Sequence, residues 1–315
     1  MPYPQPGWGY GPSVTGLLGR IRDGVRWYVI ALILALINAV AGAVFTGFVS
    51  GSFGSSFTSN TKSGALVSGS SAAVVALLLL VGLSQFILII VAWATWRGGV
   101  RPLPAAAAAQ GGGYLESAQT AEKNYSRAVW TFVILLLTIV VAAIAVAALI
   151  VGSIAHNCAP PAKNLTPCTG TTIVPVGTLL GAQLGIGLVT EVFQFLIYFF
   201  ATTSLVAALR PLASTTEQER VDRGRFWVLV GAALLPLGLV GLGLGALGVV
   251  VPGLGFLSVV PAVLILYGMY QIYESYQVWA AAHPPTAMGG SGPIGGSGPM
   301  LYAPPPAAPY GPPHP

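Results

Sequence analysis

Four polar side chains stand inside long apolar runs of this chain, and any chemistry it performs would have to use them. Glu191 and Gln194 are one helical turn apart and so share a helix face, while Asn38 and Gln85 each occupy a separate apolar run. A carboxyl flanked by amides and shielded from water is suited to binding a proton or a small cation, releasing the proton when the site opens to solvent. The same groups can equally act as hydrogen-bonding glue between helices, a use that needs no ligand. Beyond them the chain is chemically sparse. Its histidines, His156, His283 and His314, are scattered, and there is no His/carboxylate cluster at metal spacing, no phosphate-cradling Gly-Lys-Ser/Thr loop and no nucleophile elbow. The expectation is a non-enzyme with no metal and no cofactor.

The elements that position these residues follow from the solvent. Of 315 residues, 55% are hydrophobic and only 7% charged, and the mean hydropathy is +0.79, whereas a soluble domain carries about a quarter charged residues. A hydrocarbon layer about 30 Å thick needs about 20 apolar helical residues, because lipid offers no partner to an unpaired backbone amide. Six segments qualify, at about 27–49, 72–96, 129–151, 183–209, 226–250 and 256–280. The fold class expected is an all-α integral membrane protein with six transmembrane helices, its membrane domain covering 27–283. Apolar sequence before the fourth span begins near Ile173, and we read 173–182 as an outer approach or a tilted helix extension rather than a further crossing.

Charge sets the threading. The formal net charge is +5, but the basic residues form short runs between apolar segments rather than a stripe, so they mark topology and not a nucleic-acid surface. With six spans and both termini in the cytoplasm, Arg20, Arg22, Arg26, Arg97, Arg101, Lys123, Arg127, Arg210, Arg220, Arg223 and Arg225 all lie inside. Only Lys62 and Lys163 of the 13 basic residues fall outside. The expected location is a cell membrane, a prokaryotic plasma membrane being favoured.

The odd spans open alike, with Arg26-Trp27, Arg127 with Trp130, and Arg225 with Trp227, pairs suited to anchoring at the inner interface. The even spans also match, since Gln85-Phe86 precedes Arg101-Pro102-Leu103 by the interval that separates Gln194-Phe195 from Arg210-Pro211-Leu212. Such recurrence predicts three tandem two-helix hairpins. Before the first span, residues 13–26 carry Val14, Leu17, Leu18, Ile21 and Val25 at helical spacing opposite Arg20 and Arg22, the pattern of an amphipathic segment lying on the inner leaflet. Tyr114–Arg127 and the capping-box pair Ser214/Glu217 predict helices leading into the third and fifth spans.

Cys158 and Cys168, in the loop between the third and fourth spans, are placed to form a disulfide on an oxidising face, and Asn164-Leu165-Thr166 is a glycosylation sequon. The glycines at 177, 181 and 185, together with Gly241 and Gly245, have small-xxx-small spacing that predicts close helix packing, and Pro236 interrupts the fifth span. Tyr267, Tyr270, Tyr273 and Tyr276 read as an interfacial belt. The tails, 1–12 and 284–315, are Pro/Gly-rich and nearly uncharged, a composition that does not fold alone and suits a proline-binding cytoplasmic partner. The leading expectation is therefore a multi-pass membrane scaffold or accessory protein, its partners the bilayer, other membrane proteins and whatever its tails recruit. The alternative is a small-solute or ion permease with Glu191 at its centre.

Overall fold

The computed structural model describes residues 13–56, 64–110, 113–157, 176–238 and 259–283. Among these residues every regular element is helical. α1 spans Val14–Ser56, α2 Gly64–Val100, the short α3 Leu103–Ala109, α4 Leu115–Asn157 and α5 Val176–Leu209; a 3₁₀ turn, Arg210–Leu212, leads to α6, Thr215–Leu234, and α7 covers Val259–Ala282. Four stretches, Val14–Ala41, Leu80–Ala109, Leu115–Ala148 and Leu184–Leu212, are long and apolar enough to cross a membrane. α1 and α4 have 43 residues each, about 64 Å of helix, twice what a hydrocarbon layer requires.

The helices stop where their chemistry obliges them to. α2 ends immediately before Arg101-Pro102 and α5 immediately before Arg210-Pro211, since proline lacks the amide that would continue the ladder. α6 gives way to a turn at Leu235 and Pro236, where the Leu235 amide bonds back three residues to the Ala232 carbonyl. At its start the Ser214 amide donates to Glu217 Oε2 at 2.7 Å, the reciprocal half of a capping box. α5 is continuous from Val176, so 176–182 extends the helix instead of forming a separate one.

The closest packing joins α1 to α2, α4 to α5 and α6 to α7, with α1 also resting on α7. Small residues permit it. A Cβ placed on Gly24 would stand 2.8 Å from the Trp96 backbone nitrogen, and one on Gly99 would stand 2.6 Å from the Leu17 carbonyl oxygen, so α1 and α2 touch backbone to backbone. Gly224 and Gly231 of α6 play the same part against Gly268 and Pro261 of α7. Between α4 and α5 the corresponding positions are Ala121, Ala128, Ala201 and Ala208, all buried. By contrast, among the described residues nothing lies within 4 Å of a Cβ on Gly181 or Gly185. Gly177 lies among residues whose side chains are outside the description. Gly241 and Gly245 lie outside the described residues.

Two expectations change. Val14, Leu17, Leu18, Ile21 and Val25 belong to one unbroken helix and are buried in the core with Trp96, Val100, Leu103 and Tyr276. The stripe faces protein rather than a lipid leaflet, because the end of α2, α3 and α7 cover it. Tyr276 is not part of an exposed belt either; it is wholly buried, whereas Tyr267 and Tyr270 are about half exposed. Away from the arginine-bearing helix ends the pattern inverts: Leu137, Val141 and Ile144 of α4 are 60%, 66% and 64% exposed. Large apolar side chains standing free in this way require a non-aqueous neighbour.

Candidate functional site

The four polar residues of the apolar runs occupy three helices. Glu191 and Gln194 are half-buried on α5, Asn38 is half-buried on α1, and Gln85 is half-buried on α2. One carboxylate oxygen of Glu191 and the side-chain oxygen of Asn38 are each covered and lack a hydrogen-bond partner. No hydrogen bond joins any two of the four among the described residues, so sharing a depth is as far as their convergence goes. That depth follows from register. Tyr198, two turns along α5 from Glu191, meets Tyr28 of α1, and Gly24 meets Ala92 and Trp96 of α2. Counting from these contacts along antiparallel helices sets Glu191 level with Ala35 and Gln85 level with Ile33, within about 8 Å of axial distance of Asn38. Tyr28 and Tyr198 carry no sequence signal beyond being aromatic residues in apolar runs, which is why the reading from spacing passes over them.

The best-ordered polar chemistry is elsewhere, at the end of the bundle where the arginines gather. There, side chains of one helix bond the main chain of another. Tyr125 Oη donates to the Trp93 carbonyl at 2.7 Å, Ser204 Oγ to the Ala121 carbonyl at 2.7 Å, Tyr276 Oη to the Leu205 carbonyl at 2.9 Å, and Trp279 Nε1 to the Leu212 carbonyl at 3.2 Å. Tyr114 Oη donates to the Ala208 carbonyl. These bonds tie α2 to α4, α4 to α5 and α5 to α7. The hydroxyl of Tyr114 is pushed well above the usual phenol range by burial, so it stays protonated and able to donate. Trp93, Trp96, Tyr125 and Phe132 cluster beside them, with ring centroids 5.3–6.0 Å apart in the contacting pairs.

The anchor residues divide. Arg26, Trp27, Arg127 and Trp130 are exposed on the flanks of α1 and α4, free to reach an interface. Arg225 and Trp227 are half-buried: the Arg225 guanidinium lies 5.6 Å over the Phe199 ring, and Trp227 packs edge-on to Phe226 and Tyr267. Arg127 similarly covers Phe200 at 5.8 Å. Glu274 pairs with Arg220 at 3.1 Å and Asp222 with Arg210 at 3.6 Å, both partly exposed pairs that contribute little to stability. Cys158, Cys168, Asn164 and both tails lie outside the described residues. Among the described residues no three His, Cys, Asp or Glu side chains converge as metal ligands would. Comparison with protein families, with characterised proteins and with solved structures finds no match.

Proposed function

We propose that the chain is a six-span membrane scaffold of three tandem hairpins, with both termini on the cytoplasmic side and tails that recruit a partner. The observation carrying this reading is the way the arginine end is filled and bolted. Its interior holds Ala, Gly, Leu, Ile and aromatic side chains, and the hydroxyls of Tyr125, Ser204 and Tyr276 and the indole of Trp279 are spent on neighbouring main-chain carbonyls. The hairpin repeat is supported by the three preferred helix pairs and by the matching Arg-Pro-Leu stops after α2 and α5. Arginines gathered at one end favour that end as the cytoplasmic one.

A second reading has its own support: the unpartnered oxygens of Glu191 and Asn38, at similar depth, suit a permease site for a proton or small cation. Purified full-length protein in sealed proteoliposomes separates the two. The scaffold predicts proton and potassium flux no greater than in protein-free vesicles, and the same for Glu191→Gln. Flux well above that background, abolished by Glu191→Gln with the helical spectrum intact, would replace the scaffold by the permease. For the tails, a photo-cross-linker replacing Tyr310 should give discrete adducts in native membranes; a featureless background counts against recruitment.

A further inference from the structure

A cleft of about 480 Å³ opens between α2 and α4, two helices from different hairpin pairs that touch only sparingly. Its lining is sorted by polarity along its length. Ile89 and Ile90 of α2 lie at one end, and Arg97 of α2 with Arg101, the first residue beyond it, at the other, a run of thirteen residues and about 18 Å. α4 runs the opposite way and matches it, with Phe132 toward the apolar end and Glu122 toward the arginines. Trp130, one of the exposed anchors, stands at the side.

The polar end has donors to spare. Neither Arg97 nor Arg101 forms an ion pair among the described residues. Glu122 is the one carboxylate lining the cleft, so the two guanidiniums leave an excess of positive charge. Trp93 lines the cleft between the arginines and the isoleucines; it is 8% exposed, and its indole N–H is buried without a partner. An unsatisfied buried donor beside two unpaired cations calls for an acceptor bearing negative charge.

We propose that this cleft holds one anionic phospholipid of the leaflet at the arginine end. The phosphate sits between Arg97 and Arg101, the Trp93 N–H lies at the depth of the ester carbonyls, and an acyl chain follows Ile89, Ile90 and Phe132 away from the interface. A free phosphate ion would use the arginines but leave the apolar half of the cleft unexplained. The lipid uses both halves, and the antiparallel sorting of the two helices matches its orientation in a membrane.

Native mass spectrometry of the full-length chain in detergent tests the proposal, with dioleoyl phosphatidylglycerol, dioleoyl phosphatidylcholine or inorganic phosphate as added probe. One phosphatidylglycerol per chain is retained in preference to phosphatidylcholine. Arg97→Gln with Arg101→Gln weakens phosphatidylglycerol retention about thirtyfold, the factor expected for two interfacial cations, and leaves phosphatidylcholine unchanged. Ile90→Trp, which fills the apolar end with both arginines in place, also reduces retention. Circular dichroism and gel filtration establish that each variant is folded. Equal retention of the two lipids, wild-type retention by the double arginine variant, or displacement of phosphatidylglycerol by excess inorganic phosphate overturns it.

Discussion

Replacing Gly268 by alanine tests whether close helix contact is what holds α6 to α7. A Cβ on Gly268 would lie 2.7 Å from the Val228 backbone nitrogen and from its Cγ2, short of the 3.4 Å of ordinary contact by 0.7 Å, and nearer still to the Gly224 carbonyl oxygen. Main chain cannot rotate aside, so the helices must part. A gap of that size forfeits about a third of the attraction across the seam; for roughly twenty atom pairs at 0.1–0.2 kcal/mol each this is about 1 kcal/mol. Residual strain from overpacking adds about 1–3 kcal/mol, giving a destabilisation of about 3 kcal/mol. Gly224→Ala, whose Cβ would stand 2.7 Å from the Gly268 carbonyl oxygen, acts on the same seam. Because either methyl alone already separates the helices, the double variant should fall short of additivity by at least about 1 kcal/mol. Gly185→Ala, with nothing within 4 Å of its Cβ among the described residues, should stay within about 0.5 kcal/mol of wild type. Reversible unfolding in mixed micelles with rising dodecyl sulfate, followed by tryptophan fluorescence, reads all four. A Gly268→Ala protein as stable as Gly185→Ala, or a strictly additive double variant, refutes the reasoning.

Three other outcomes are expected. Tyr114→Phe removes a buried donor and should lower stability by about 1 kcal/mol; since burial raises the Tyr114 pKa, its stabilisation is complete below about pH 10, where an unfolded tyrosine would also be neutral, and fades above. Thermal melts of wild type should therefore fall more steeply than those of Tyr114→Phe as pH rises past 10. Glu217→Ala opens the capping box on α6 and should destabilise by about 0.5–1 kcal/mol in the same unfolding assay, with Glu217→Gln largely retaining the cap. A single cysteine at Thr215, in a chain with Cys158 and Cys168 changed to serine, should be shielded from impermeant maleimide in intact cells and react after permeabilisation. Labelling from outside would reverse the proposed topology.

Long helices, and several of their ends, could be read directly from the chain. Oil dictates helices, and Pro102, Pro211 and Pro236 mark where they stop or turn, a local matter of one missing amide each. The capping pair at Ser214 and Glu217 is equally local. What spacing alone did not disclose is which surface each residue meets. The stripe from Val14 to Val25 has the same periodicity whether it faces a leaflet or another helix, and only the arrival of α2, α3 and α7 decides the matter. Tyr276 and its exposed neighbours Tyr267 and Tyr270 are one residue type on one helix; their different burial comes from α1 packing on one side, where Tyr276 also reaches the Leu205 carbonyl of α5. Gly24, Gly99 and Gly268, which lie against neighbouring backbone, are less conspicuous in the chain than the regularly spaced Gly181 and Gly185, which meet nothing among the described residues. For Glu191 and Asn38, residue type and depth were readable, but whether their oxygens find partners depends on side-chain positions that no period encodes.

Each bond that closes the arginine end has one named member and one anonymous one. Tyr114, Tyr125, Ser204, Tyr276 and Trp279 donate, while what accepts is a peptide oxygen, a group every amino acid brings. Descendants of this chain could therefore exchange the side chains at Leu205, Ala208 and Leu212 for others of fitting size without losing a single tie, provided the helix holds its course. No such latitude exists for the donors. Evolutionary drift should be lopsided across this seam, with the hydroxyl and indole positions held nearly fixed opposite a partner strip constrained only in size.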